Sequence, residues 1–579
     1  MPHVFIDFLF SKSMDFESGG RKQEVPTAVR IKTFFSSIPL WCDAFVTHDL
    51  ETGWQSPSVD WLNGFSADHP DLPGWCCHTL AMGTLTNEEE NNQLLIYKVM
   101  LPKSHAGRMI RVEDQESAST EDICDPPDDY QAFELLAAVP HEGNVDRIRS
   151  MPQTGHLLAT KSEGAAIHVF EVSSLLSQSS QDRCVVDEGD EDCGQQQLRH
   201  VCSTSTDSSG AASGPAPQEA GMCWSAEHKG LLLSTCQNGL LALYDLGSSS
   251  GSVLNVNSIF DGHGGQTVND VAFAGSWSPH LFGSVGDDGC VCIWDLRLGR
   301  TLPGSGSSSS TGCTDRRTNY VQRWQAHGTG GRGEMHKEVN GIAFSQLRPN
   351  SVATGGNDGM IKLWDLRKQP SSVSVILVGS TGGTSVAGGT PVEASCLPEK
   401  VLPSHRSPVF QLSWCPHHAS VLASCDIRGL VYVWDVSCDR EGETEDLRSN
   451  AKADTRHKSD IEKRVDPIPK RPELRMIQAG HACQVTDLSW CPDGSRGRML
   501  LATVSAAYSA EEEAEEQDTY VDLTRSAARE GLVLNGVQHP GPKAEMEQEQ
   551  TLIQDHNVQI WRPSEDLFYS EISAPDILI

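Results

Sequence analysis

The chain has 579 residues, with 78 Asp plus Glu against 45 Lys plus Arg, a formal net charge of −33, 38% apolar residues and 6% aromatic ones. A surface this acidic repels phosphate, so counterion-release binding to DNA or RNA is not expected and basic partners are electrostatically favoured. No run of about 18 apolar residues occurs, which removes a membrane-spanning helix.

Residues 4–10 are apolar but interrupted by Asp7, with neither a basic leader nor a small-residue cleavage site; they read as a loose terminus or an edge strand within a flexible segment, 1–26. From 27 to 50 the period changes. Ile31, Phe34, Phe35, Ile38, Trp41, Phe45 and Val46 recur at three- and four-residue steps with polar residues between them, which predicts an amphipathic α-helix kinked near Pro39. Such a helix can pack on the flank of the following domain, present its free edge as one wall of a groove for a partner helix, or do both. The 18 Cys are scattered through apolar runs as small reduced core residues. Trp75-Cys76-Cys77-His78 and Cys415-Pro416-His417-His418 lack a second ligand pair at finger spacing, so no metal and no cofactor are expected.

From about residue 55 to the end the chain repeats itself. Strong block endings are Ile293-Trp294-Asp295, Leu363-Trp364-Asp365 and Val433-Trp434-Asp435; weaker ones are Ile96-Tyr97, Val169-Phe170, Leu243-Tyr244 and Ile560-Trp561, seven in all. The interior is illustrated by Asp261-Gly262-His263, Val268-Asn269-Asp270-Val271-Ala272-Phe273, Leu281-Phe282-Gly283-Ser284 and Asp288-Gly289. It reads as strand, turn, strand, turn, strand, with alternating apolar residues and a tight Gly-containing turn. These blocks resemble the WD40 repeat, whose unit is a four-stranded propeller blade. The expected fold is therefore all-β: a seven-bladed WD40 β-propeller over 55–579 with an N-terminal α-helix and long disordered insertions.

Seven blades of about 42 residues fill roughly half the chain. The remainder is Gly/Ser-rich or acidic and interrupts the repeats near 101–132, 173–216, 300–320, 369–400, 437–470 and 506–554. Segments of this composition cannot bury enough apolar surface to offset their ordering entropy. In the WD40 family the loop His, a Ser or Thr, the turn Asp and the Trp form a hydrogen-bonded tetrad. The matching positions are His263, Ser284, Asp288 and Trp294, with Asp358 before Trp364 and Asp555 before Trp561 repeating the turn carboxylate. Buried polar groups need partners, so these residues are structural rather than catalytic. Arg428 and Asn238 hold the carboxylate's place before Trp434 and Tyr244, which predicts altered or missing tetrads there.

Nothing suggests an enzyme. There is no Ser-His-Asp signature, and the glycine runs at 262–265 and 328–331 lack the Lys-Ser/Thr of a phosphate loop. A narrower resemblance is carried by residues 38–48 with 57–62, by 78–102, by 141–147 with Met151-Pro152-Gln153, and by 280–288. Together they look like the retinoblastoma-binding, Msi-type WD40 histone chaperones. That resemblance implies a nuclear scaffold for core histones in chromatin assembly, deacetylase, remodelling or methyltransferase complexes. It further implies a groove for a histone helix between the N-terminal helix and an acidic loop. The groove residues would be Ile31, Phe35, Leu40 and Trp41 on the helix, and Glu443, Glu445, Asp446, Pro472 and Glu473 on the loop. Arg456, Lys458, Lys463, Arg464 and Lys470 make part of that loop basic, a composition that also suits an import signal. A second family surface, on the top face of the ring, would use Asp146, Asn269, Glu338, Asn340 and Phe410 to hold peptides. Asn144, Gln218, Asn269 and Pro408 replace acids there, so weaker or altered tail binding is expected. Two other readings compete: a glutamate-rich WD40 ribosome-assembly factor, and a cullin ubiquitin ligase receptor docking through Trp-Asp-Leu-Arg at 294–297 and 364–367.

Overall fold

In a computed structural model the described residues fall within 42–48, 54–102, 132–172, 199–204, 217–248, 253–298, 315–328, 338–369, 397–437, 473–506 and 558–563. They form seven antiparallel sheets whose innermost strands touch one another in cyclic order, closing a ring. From the channel outward, blade 1 is Val59–Trp61, Trp75–Gly83, Asn92–Pro102 and Phe133–His141, with Ala67–Asp68 added at its side; blade 2 is Val145–Ser150, Leu157–Ser162, Ile167–Glu171 and Arg199–Ser203. Blade 3 is Pro217–Trp224, Leu231–Cys236, Leu240–Asp245 and Val256–Asp261; blade 4 is Val268–Phe273, Leu281–Gly286, Cys290–Asp295 and Gln322–Gln325. Blade 5 is Val339–Phe344, Ser351–Gly356, Met360–Asp365 and Lys400–Pro403; blade 6 is Val409–Trp414, Val421–Asp426, Val431–Asp435 and Leu474–Gln478. Blade 7 is Val485–Trp490, Leu501–Ser505 and Val558–Pro563, and its outermost strand comes from the other end of the chain, Cys42–His48.

That strand corrects the reading of 27–50 as one helix. Cys42–His48 pairs antiparallel with Val558–Pro563, setting Phe45 opposite Trp561 and Val46 opposite Ile560, so the propeller begins before residue 55. The rest of the expected helix lies outside the described residues, as does most of each expected insertion. One stretch expected to be disordered is instead partly a strand: Asp315–Arg317 adds in parallel to the outer strand of blade 3.

The core lies between blades. Third strands are buried on both faces, which is why Cys290-Val291-Cys292-Ile293-Trp294 reads as a continuous apolar run rather than an alternation. The tight turns before them use glycine for a conformational reason. Gly429 sits at φ +76°, and a Cβ there would stand 2.7 Å from the Cys483 carbonyl oxygen and 2.8 Å from that of His481, in the loop entering blade 7. Inner strands share another device: blades 2, 4, 5, 6 and 7 each carry a β-bulge at the second residue of the strand, as between Val268 and Asp270. The bulge residues are Asp146, Asn269, Asn340, Phe410 and Thr486.

Candidate functional site

The tetrads are built as hydrogen-bond chains running from solvent into each blade. In blade 4, His263 Nδ1 meets Asp288 at 3.0 Å, its Nε2 meets Ser284 Oγ at 2.8 Å, and Trp294 Nε1 donates to the same Oγ at 2.9 Å. Blade 5 repeats this with His327, Asp358, Thr354 and Trp364. Burial pushes the Asp288 and Asp358 carboxyls up, but the hydrogen bond and charge of the facing histidine outweigh it and hold both below the usual carboxylate value. Burial also holds His327 below the ordinary imidazole value.

Blade 6 corrects an expectation. Arg428 is exposed where the carboxylate should be, yet the tetrad is complete, because Asp426 at the end of the second strand accepts from His405 Nδ1 at 3.0 Å. His405 Nε2 and Trp434 Nε1 then meet Ser424 Oγ at 2.7 and 2.9 Å. In blade 7 Ser505 replaces the acid, 3.1 Å from His481 Nδ1, while Asp555 lies outside the described residues. Blade 3, with Asn238 in the acid's place, sets Tyr244 in the position of the tryptophan, buried beside Cys236.

Four of the five expected peptide-binding residues, Asp146, Asn269, Asn340 and Phe410, are bulge residues at the start of inner strands, and Glu338 directly precedes the innermost strand of blade 5. They therefore gather at one end of the ring. Two of them also join blades. Asn269 Nδ2 donates to Asp287 Oδ1 and to the Val339 carbonyl of blade 5, both at 3.0 Å; Asn340 Nδ2 donates to Asn357 Oδ1 at 2.7 Å and to the Val409 carbonyl of blade 6 at 2.8 Å. Asn357 in turn donates to Glu338 Oε2 at 3.2 Å, which fixes that carboxylate at the rim. The Val-Asn pair opening two successive inner strands was the sequence signal for this second role.

The groove residues Ile31, Phe35, Leu40, Trp41, Glu443, Glu445, Asp446 and Pro472 lie outside the described residues. Glu473 is described and is not a groove residue: it is 5% exposed, and its carboxylate faces Lys400 Nζ at 3.4 Å inside the protein.

One cluster escaped the sequence. Asp487 of blade 7 is fully buried and accepts from Arg147 Nη1 at 2.7 Å, from Arg149 at 2.9 and 3.0 Å, and from Ser58 Oγ at 2.6 Å. Ser58 opens blade 1 and the arginines belong to blade 2, so one carboxylate ties three blades around the join of the ring. Burial raises Asp487, but the Arg147 and Arg149 charges outweigh it and hold the carboxyl below the usual value. Nearby Asp60 and Asp270 go the other way, because burial dominates over the same arginines. Period-two charges inside apolar inner strands, as in Val145-Asp146-Arg147-Ile148-Arg149, carried the signal.

Comparison with known proteins agrees with this architecture. The profile of the WD domain, G-beta repeat, matches residues 254–295, 331–365 and 396–435. Residues 254–295 begin at the outer strand of blade 3 and end with the third strand of blade 4, so the sequence repeat is offset from the blade by one strand. The chain is a WD40-repeat propeller. Residues 34–103 match the profile of the family described as histone-binding protein RBBP4 or its counterpart within the CAF1 complex. The chain is 25% identical over 340 residues to WD-40 repeat-containing protein MSI3 of Arabidopsis thaliana, an alignment covering 58% of this chain and 65% of the relative, just short of two thirds of the relative's length. The propeller thus carries, on its N-terminal strand and first blade, the likeness to Msi-type histone-binding WD40 proteins read from residues 38–102.

Proposed function

We propose that this propeller is a non-enzymatic nuclear scaffold that binds core histones within chromatin complexes. The observation that carries the reading is where the histone-binding profile falls: on residues 34–103, which contain the ring-closing strand, and not on the generic repeats alone. An acidic chain of net charge −33 suits a basic partner. In the finer form of the proposal, Ile31, Phe35, Leu40 and Trp41 bury the apolar face of a histone helix, Glu443, Glu445 and Asp446 pair with its Lys and Arg, and Pro472 shapes the loop. The rim residues Asp146, Glu338, Asn269, Asn340 and Phe410 hold extended tails.

The test is capture of core-histone dimers by the full chain at two salt concentrations, with Leu40→Asp/Trp41→Asp alongside. Wild type should retain histones and the double variant should lose them. Equal capture by both removes the groove. Recovery of pre-ribosomal proteins, or of a ligase adaptor with its cullin, in place of histones would replace the function.

A further inference from the structure

A pair of histidines on blade 2 has no part in the tetrads or the rim. His168 lies in the third strand and His200 in the fourth, and a β-bulge between His200 and Cys202 shifts the register there. Bulges re-aim side chains, and this one puts His200 Nε2 3.4 Å from His168 Nδ1, with the ring planes 60° apart. Two imidazole nitrogens bound to one tetrahedral zinc, each about 2.0–2.1 Å from the metal, stand about 3.4 Å apart. As a hydrogen bond the same separation is long. His168 is 8% exposed, and its Nε2 is buried with no hydrogen-bond partner among the described residues, so its neighbour across the strand pair is the polar contact available to it. His200 is exposed, which leaves a path from solvent.

We propose that His168 and His200 chelate a divalent transition-metal ion of the zinc type through Nδ1 and Nε2. Among the described residues no third His, Cys, Asp or Glu is grouped with them. His141, whose ring centre is 5.2 Å from that of His168, has its nitrogens engaged by the Gly143 carbonyl at 3.1 Å and Thr160 Oγ1 at 2.7 Å. The remaining coordination positions therefore belong to water or to a ligand from a partner, and the site is open rather than structural. Exposed Glu142 lies within electrostatic reach of His168 and favours a cation there.

A second histidine pair serves as an internal control. His228 Nε2 and His280 Nδ1 approach to 3.2 Å, but the rings are stacked at 27°. Lone pairs of near-parallel rings lie in separate planes and do not converge on one ion.

The experiment uses the full, untagged, reduced chain. Co²⁺ titration reads the ligand set from its visible spectrum, and Zn²⁺ affinity is read by competition with a chromophoric indicator. The wild type should bind one equivalent of Co²⁺ with a tetrahedral spectrum lacking thiolate charge transfer. His200→Ala, an exposed substitution, should abolish that spectrum and weaken Zn²⁺ at least about tenfold, while His228→Ala leaves both unchanged. Zinc should raise the melting temperature of the wild type but not of His200→Ala. A wild type that binds no Co²⁺, a thiolate charge-transfer band, or a His200→Ala chain that binds like wild type each overturns the proposal.

Discussion

Asp487 offers the sharpest test of how the ring is held shut. Replacing it with Ala removes the acceptor of Arg147, Arg149 and Ser58 and of the backbone amides of Val59 and Leu488. Deleting one partner of a buried ion pair costs about 3–5 kcal/mol, because the remaining charge keeps its desolvation penalty without its counterion. Asp487→Asn keeps the size and one acceptor oxygen but loses the charge, so it should fall between wild type and Ala. Urea unfolding with midpoint and slope gives the difference, and hydrogen exchange across Cys42–His48 and Val59–Trp61 shows where the structure loosens. The pH dependence has a fixed sign. The folded-state pKa of Asp487 is depressed below its ordinary 3.8. Its contribution is therefore complete above that value and is lost as pH falls through the folded pKa. A loss smaller than about 1 kcal/mol for Asp487→Ala, or equal losses for Ala and Asn, would refute the account of a buried charge shared by three blades.

Three further outcomes follow from the same geometry. Asp426→Ala should cost about 3 kcal/mol in thermal or urea unfolding, since His405 and the amides of Arg428 and Leu430 lose their buried acceptor, whereas exposed Arg428→Ala should be nearly neutral. Gly429→Ala should cost roughly 1–3 kcal/mol, because the positive φ and the carbonyls of His481 and Cys483 both oppose a Cβ; an unchanged midpoint would show that the turn relaxes. His327 and His405 are held below the ordinary imidazole pKa of 6.5, chiefly by burial and against their Asp partners. As pH falls from 6.5 toward their folded values the unfolded chain takes up protons that the folded one refuses, so stability should decline across that window; a urea midpoint that is flat between about pH 7 and pH 5 would contradict this.

The repeat was legible because Trp-Asp endings mark third strands, whose two buried faces force an apolar run. The blade 6 tetrad was misjudged because motif spacing counts residues, while a tight turn brings both of its ends to one point. Asp288 sits directly before its glycine and Asp426 three residues before Gly429, yet each carboxylate reaches its histidine. The closing strand could not be recognised locally. Phe45 and Val46 fit a helical step when counted from Trp41, and their actual partners, Trp561 and Ile560, stand at the opposite end of the chain. The Asp487 cluster was hidden for the same reason: Arg147 is 340 residues away and Ser58 is 429. Groups that look like isolated charges in apolar strands become mutual partners only when the ring closes.

Because the repeat is offset from the blade by one strand, ring closure and the proposed histone grip share a short stretch of chain but are separable. Val46 packs half-buried against the cluster holding Val558 and Ile560. Val46→Asp should lower stability by about 1–3 kcal/mol, the loss of a valine's burial plus the cost of a charge at the join. Leu40→Asp/Trp41→Asp lies just before that strand, on residues proposed to face the partner. It should leave the urea midpoint within about 0.5 kcal/mol of wild type while removing histone capture. If the double variant unfolds as readily as Val46→Asp, residues 40 and 41 belong to the lock rather than to the groove, and their effect on capture would follow from an opened ring.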